Sequence, residues 1–385
     1  MRVVKVSDSI ISPLGFSVEE NFNSLLRGGS ALRKYNRLWG LPFEFMASIF
    51  DEEELNNYFI ENIDITKLPH SNCTKFEKIA LLSAFKAISS ANIDPKSHRI
   101  LFILSSTKGN IELLSTSNFD SNRVLLGNTA QMIARYFGNT NKPIVVSNAC
   151  ISGLCAQIEA MRFLKSGSYD FCVVIGADVL SPFIVSGFNS LKALSTEPCK
   201  PFSINRNGLN LGEAAATIIY STVDDGKNNW EIVCGATRND ANHISGPSRT
   251  GDGSLSALNY VLQYSGCKIA DIAFANVHGT ATPYNDEMES IALERAGLSD
   301  LPINSLKGFY GHTLGAAGVL EVILSMCSLD KGKILPTHGF DSLGVSGNIN
   351  VISTLQETNK HSFLKLLSGF GGCNSSAIFT KLRKL

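Results

Sequence analysis

The chain has no excess of charge of either sign: 34 Lys and Arg balance 34 Asp and Glu over 385 residues. A protein that tracks nucleic-acid phosphates needs a clear basic excess, so that class is set aside. A local basic patch for an acidic protein partner would not show in this total. No uninterrupted apolar stretch reaches the roughly 18 residues that a membrane span requires. The opening Met1-Arg2-Val3-Val4-Lys5-Val6 lacks the apolar core and small-residue cleavage site of a secretion signal. Nine cysteines are an odd number, with no C-x-x-C pair and no Cys/His cluster at zinc spacing. Free thiols imply a reducing compartment, and the expected location is the cytoplasm. The glycine-rich Ser368-Gly369-Phe370-Gly371-Gly372 lacks the third glycine of a dinucleotide loop, and no Walker motif occurs. Neither a metal nor a nucleotide cofactor is expected.

What is present is a globular composition, 44% hydrophobic and 18% charged, in a length suited to two domains or one duplicated domain. Short β-rich runs alternate with longer helical ones. Ile100 to Leu104, Ile144 to Val146, Phe171 to Ile175, Ala215 to Tyr220 and Ile272 to Val277 read as buried strands. Phe76 to Ser89, Ile151 to Lys165, Leu255 to Tyr264, Asp286 to Ala296 and Ala316 to Leu329 read as helices. That alternation is an α/β signature. The polar turn Asp224-Asp225-Gly226-Lys227-Asn228-Asn229 marks the boundary between residues 1–223 and 230–385. A shift of 165 residues lays Gly153 on Gly318, Ile158 on Ile323, Met161 on Met326, Leu164 on Leu329 and Gly167 on Gly332. The repeat predicts two copies of one α/β unit, packed face to face around a central site fed by loops from both.

The candidate chemistry lies just ahead of the repeated helices. Cys150 sits where a strand turns into a helix start, an arrangement that favours the thiolate through unpaired N–H groups and the helix dipole. His278 ends the Phe274 to Val277 strand and is followed by the irregular Gly279-Thr280-Ala281-Thr282-Pro283, at a strand's carboxyl end where α/β proteins place ligands. His312 opens the small-sided Thr313-Leu314-Gly315-Ala316-Ala317-Gly318. Glu321 is the lone charge between Thr313 and Leu329, and a carboxylate there is costly unless paired; Lys307 is the expected partner. The Gly369 to Gly372 segment is a flexible turn or a presenter of backbone N–H groups to an oxyanion.

Asn148-Ala149-Cys150, His278-Gly279-Thr280-Ala281-Thr282-Pro283, Lys307 with Gly311-His312-Thr313-Leu314-Gly315, and Gly369-Phe370-Gly371-Gly372 occur in this order, after a Ser12-Pro13-Leu14-Gly15 opening. Together they resemble the elongating β-ketoacyl-acyl carrier protein synthases of the thiolase superfamily, over essentially the whole chain. The resemblance implies two βαβαβαββ halves in a five-layered α-β-α-β-α core, the first carrying the nucleophile and the second both histidines. It implies that Cys150 takes an acyl chain as a thioester, and that its N–H and that of Phe370 form the oxyanion hole. His278 and His312 would hold the malonyl thioester carbonyl as CO2 leaves. Lys307 with Glu321 would support the His312 side, Glu289 would be a further structural carboxylate, and Phe370 with Gly371 would gate entry. The implied reaction is a decarboxylative Claisen condensation serving fatty-acid, polyketide or polyene synthesis. The implied partners are an acyl carrier protein, met by a basic patch for which Lys75 and Lys78 are candidates, and a second copy or a related subunit.

Two alternatives stay open: a non-condensing, chain-length-type subunit of a heterodimer, and a thiolase- or acyltransferase-like enzyme. The first characteristically lacks the nucleophile, which is present here. The second draws attention to Cys373, where elongating synthases usually carry threonine. Other departures are Ser203 and Asn207, which replace the two acids of the family's Phe-Asp-x-x-Arg-Asp-Gly-Phe, a shortened stretch from Lys108 to Gly127, and a compact Asp240 to Pro247 loop.

Overall fold

The computed structural model describes residues 1–69, 72–116, 120–223, 230–240 and 242–382. The expected boundary turn, 224–229, lies outside them. The first half of the chain supplies β1 (Val4–Ile11), β2 (Ile100–Ser105), β3 (Ile144–Val146), β4 (Phe171–Asp178) and β5 (Ala214–Ser221). The second supplies β6 (Trp230–Asn239), β7 (Ile272–Asn276), β8 (Pro302–Asn304), β9 (Asn350–Val351), β10 (Ser362–Gly369) and β11 (Cys373–Lys381). All pair into one sheet in the order β9-β8-β7-β10-β11-β6-β1-β5-β4-β2-β3. The halves join where β1 runs antiparallel to β6, at Val4 and Glu231.

Outward from that seam the same topology occurs twice. Each half places its first strand, then its last, then three parallel strands, with antiparallel pairing at the same two steps. The β9 strand adds an outer rung to the second half.

Helices complete five layers. Over the first half lies α1 (Lys75–Ala91), its start fixed by a reciprocal Thr74/Glu77 cap. Between the halves lie α2 (Ser152–Lys165) and α5 (Ala317–Asp330), and over the second half lie α3 (Asp252–Tyr264) and α4 (Pro283–Arg295). Both central helices touch strands of both halves. Their core joins Leu101, Ile103 and Val174 of the first half to Phe363, Leu367 and Phe379 of the second. The 165-residue shift lays α2 on α5 from end to end. They cross at Gly153 and Gly318: a Cβ on Gly153 would lie 2.8 Å from Gly315 O, and one on Gly318 would run into Leu154 N. Only glycine permits that approach.

The strands and helices read from the pattern are all present, with ends shifted by a few residues. The pattern leaves out several elements, β1, β6 and β8 among them, and one strand differs in its burial. β3, expected to be buried, is the outer strand of the sheet and only half-buried. β1 escapes the pattern because its serines are interior: Ser7 and Ser9 hydroxyls donate to the Ala87 and Ser83 carbonyls of α1, at 2.7 and 2.6 Å.

Candidate active site

The nucleophile candidate is set by a sharp turn. After β3 the chain reaches Ala149 in the left-handed region, φ +44°, which a residue with a Cβ adopts only when its surroundings hold it there. The hold is local: Asn148 N–H donates to Ser152 Oγ (2.8 Å), and that hydroxyl donates to Ala149 O (2.6 Å). Gly369, at the end of β10, presses on the turn so closely that a Cβ there would lie 3.1 Å from Cys150 N. The expected helix start falls two residues later than Cys150, at Ser152. Its effect on the thiol is outweighed. Burial pushes Cys150 up to about 11, outweighing Lys307 and the backbone N–H groups of Phe370 and Cys150, which favour the thiolate.

Both histidines reach this thiol. The sulfur and one ring nitrogen of each of His278 and His312 lie within 4.8 Å of one another. The two rings meet edge to face, with centroids 5.1 Å apart. Leu314 N–H donates to His312 Nδ1 (3.3 Å), which places the proton of the neutral ring on Nε2. That Nε2 is buried without a partner, and so is Nδ1 of His278. Burial, then Lys307, lowers both histidines well below the ordinary imidazole range, with other buried lysines adding to the effect. At neutral pH they are uncharged rings, and His312 offers an unpartnered N–H donor near the thiol.

Buried charged groups hold the backbone that follows β7 and pair beside the two rings. Glu289 on α4 accepts the N–H groups of His278 (2.7 Å) and Gly279 (2.8 Å). Asp286, one turn earlier, accepts those of Thr280 (3.0 Å), Ala281 (3.1 Å) and Phe202 (2.7 Å). Burial pushes Glu289 up to about 7 and Asp286 up to about 6. Lys307 and Glu321 pair at 2.5 Å as the sequence predicts. Glu321 also holds Lys365 of β10 (2.6 Å), whose Nζ donates to Asn276 Oδ1 (2.6 Å). Burial alone would raise Glu321, but the two lysines hold it below the usual carboxylate range.

Lys365 and Asp286 were missed by sequence reasoning. Lys365 had a signal, being the lone charge in Ser362-Phe363-Leu364-Lys365-Leu366-Leu367-Ser368. Asp286 had none, lying in the polar Asn285-Asp286-Glu287 that reads as surface.

The triad opens on a cavity of about 550 Å³, lined by Phe188, Leu191, Leu209, Ile244, Thr280 and Phe370 among others. Phe370 stacks on Phe188 (centroids 5.7 Å apart) and is 37% exposed. Gly371, at φ +85°, donates its N–H to Ile244 O (2.6 Å), tying the glycine-rich turn to the 240–247 loop, of which Ala241 lies outside the described residues. Of the stretch from Lys108 to Gly127, residues 117–119 also lie outside.

The altered Phe202 loop recovers an acid from elsewhere: Asp341 accepts from Ser203 Oγ (2.5 Å) and Asn205 Nδ2 (3.0 Å), while Asn207 accepts from Ser195 Oγ (2.8 Å). Cys373 is buried, its thiol 3.4 Å from Phe370 O and 3.8 Å from Asn148 O, and burial pushes it up to about 12. One basic-patch candidate is corrected. Lys75 pairs with the fully buried Glu213 at 3.0 Å, so its charge is balanced, whereas the half-buried Lys78 donates to the neutral Asn56 Oδ1 at 2.6 Å and keeps its charge.

Comparison with known proteins gives the family of the chain. The family model described as β-ketoacyl synthase, N-terminal domain, matches residues 1–225, and its C-terminal counterpart matches residues 231–341. The chain is 25% identical over 416 residues to a 3-oxoacyl-[acyl-carrier-protein] synthase 2 of Staphylococcus aureus, covering 99% of this chain and 98% of that one. Its fold is similar to a β-ketoacyl synthase from Burkholderia phymatum (TM-score 0.86, 23% identity, 99% and 100% of the two chains). It is equally similar to a ketosynthase solved with its chain length factor from Xenorhabdus doucetiae (TM-score 0.86, 23% identity, 99% and 98%).

Proposed function

The chain belongs to the β-ketoacyl synthase family of condensing acyltransferases, and from that premise we propose that it joins a Cys150-bound acyl chain to malonyl-acyl carrier protein with loss of CO2. The observation that carries this reading is the convergence of Cys150, His278 and His312 at the base of one cavity. Cys150 sulfur attacks the acyl thioester carbonyl of the carrier, and the carrier thiol leaves with the Cys150 proton. Negative charge on the tetrahedral oxygen falls to the N–H groups of Cys150 and Phe370. The malonyl thioester carbonyl then takes hydrogen bonds from the neutral histidines. As the C–COO⁻ bond breaks, its electron pair forms an enolate. The enolate carbon attacks the acyl-Cys150 carbonyl, and the Cys150 thiolate departs. Donors placed where charge develops are each worth about 10²–10³ in rate.

Lys307, Glu321 and Glu289 hold the histidine-bearing turns, and Phe370 with Gly371 gates the cavity. The division into 1–223 and 230–385 assigns the nucleophile to one half and both histidines to the other. The occupants are acyl- and malonyl-loaded carrier proteins, and the working unit is a homodimer or a heterodimer with a related subunit. Nine free cysteines favour the cytoplasm. Among the described residues no helix is long and apolar enough to cross a membrane.

The test mixes the protein with acyl- and malonyl-carrier substrates and follows the carriers by intact-mass spectrometry, alongside Cys150→Ala. A β-ketoacyl-carrier product with the native chain only is expected. No product and no Cys150 acylation across a range of acyl chains would overturn condensation by this chain alone and favour a missing partner subunit.

A further inference from the structure

The His312 turn is gripped from the opposite half of the chain by groups that the condensing mechanism does not use. Asp178, fully buried at the end of β4, accepts the N–H of Gly315 at 2.7 Å. It also accepts Ser106 Oγ (2.8 Å), Thr107 N–H (3.0 Å) and Thr107 Oγ1 (2.8 Å) from the turn after β2. Lys108, its side chain 6% exposed, completes the set with Nζ 2.9 Å from Asp178 Oδ1. Ser105 Oγ donates to Gly315 O at 3.1 Å, so that both polar groups of Gly315 are held from the first half.

The grip matters because of what lies next to it. Leu314 is a non-glycine residue at φ +52°, a conformation that persists only when its surroundings impose it. Leu314 N–H is also the donor that fixes the His312 tautomer. The Leu314–Gly315 segment is therefore anchored on Asp178 through the Gly315 N–H and fixes Nε2 as the donor nitrogen of His312 through the Leu314 N–H. A Cβ on Gly315 would lie 2.8 Å from Asp178 Oδ2, so the contact has no slack.

We propose that Lys108 and Asp178 are a positioning pair for His312, which aim its Nε2–H at the malonyl carbonyl and act on decarboxylation rather than on acylation of Cys150. The proposal rests on the condensing reading above. A lysine paired inside the protein is costly unless geometry repays it, and here the pair closes the set of bonds around one carboxylate. The charged and titratable groups around His312 are Cys150 on the nucleophile turn, His278 after β7, and Lys307, Lys108 and Lys365, with Glu321 and Asp178 as the carboxylate partners of those lysines. Lys108 is the cation in this group whose partner lies in the first half, and it helps keep His312 uncharged.

The experiment separates two half-reactions by intact mass: acylation of Cys150 by an acyl-carrier protein, and conversion of malonyl-carrier to acetyl-carrier with release of CO2, from pH 5.5 to 8.5. For Lys108→Met, decarboxylation should fall about tenfold to a hundredfold, the size expected of a misaimed group. Acylation should fall less than about threefold. The acid limb of the decarboxylation profile should move to higher pH, because a cation facing His312 is gone and Asp178 is left unbalanced. Lys108→Arg should restore both rate and profile. Should Lys108→Met fail to fold by circular dichroism, Lys108→Gln and Asp178→Asn are judged by the same criteria.

With a folded variant, unchanged decarboxylation, equal loss in both half-reactions, or an unmoved acid limb overturns the proposal alone. A native chain that neither acylates nor decarboxylates overturns the functional reading and this proposal with it.

Discussion

At Cys150 two general effects oppose one another, and the structure decides between them. A helix start and a nearby lysine favour the thiolate, while burial favours the thiol; the site is dry enough that burial prevails and the group is raised to about 11. A thiol with that value gives thiolate in proportion to hydroxide across the neutral range. Alkylation of Cys150 by iodoacetamide, read by peptide mass spectrometry, should therefore rise about tenfold per pH unit from 7 to 10 with no plateau. A plateau below pH 8 would restore the helix start as the controlling influence.

The residue scale was also where sequence reading worked best. Cys150, His278, His312, Lys307 and Glu321 stand out because each is a reactive or charged group in a run of small or apolar neighbours. Asp286 and Asp178 do not: Asp286 is marked out by N–H groups of the turn just before it and of Phe202, and Asp178 by N–H groups from loops of distant sequence. Lys75 misled for the same reason, since its partner Glu213 is 138 residues away.

Among the elements, the crossing of α2 and α5 carries the most consequence. The repeat that locates both helices is legible because an obligatory close approach leaves the same glycine in each copy. In contrast, β1 and the edge position of β3 depend on which neighbour the strand finds, and no local pattern records that. At the crossing, Gly318→Ala would drive a Cβ into the backbone of Leu154, with no flexible side chain to yield. A loss of about 1–3 kcal/mol is expected in guanidinium unfolding, the usual cost of overfilling a packed core. Because α5 follows directly on the His312 turn, decarboxylation should fall further than the stability loss alone explains. Gly187→Ala is the control: it lies exposed in the Pro182–Ser190 helix with nothing within 4 Å of the added Cβ, so it should be neutral or stabilise by about 0.5–1 kcal/mol. Equal costs at the two positions would remove the crossing as the reason for the repeat.

For the whole molecule, duplication does not make the halves independent. Length and repeat together suggest two domains, but each half leaves one side of its sheet to be covered by the central helices, and each helix is shared. The core around α2 and α5 draws on strands from both halves, the sheet runs across the seam at Val4 and Glu231, and the reactive triad takes Cys150 from one half and its histidines from the other. A fragment of residues 1–223 would expose the inner faces of α2, β2 and β4, a large apolar surface with no partner. Residues 230–385 would expose the matching faces of α5 and β10. Expressed separately, neither fragment should show a cooperative thermal transition. Coexpressed, they should associate and regain Cys150 acylation, since the backbone break falls in the polar 224–229 sequence between β5 and β6. If either fragment alone melted cooperatively within a few degrees of the intact chain, the shared central layer would not be what holds the molecule together, and the site would be a junction between two finished domains.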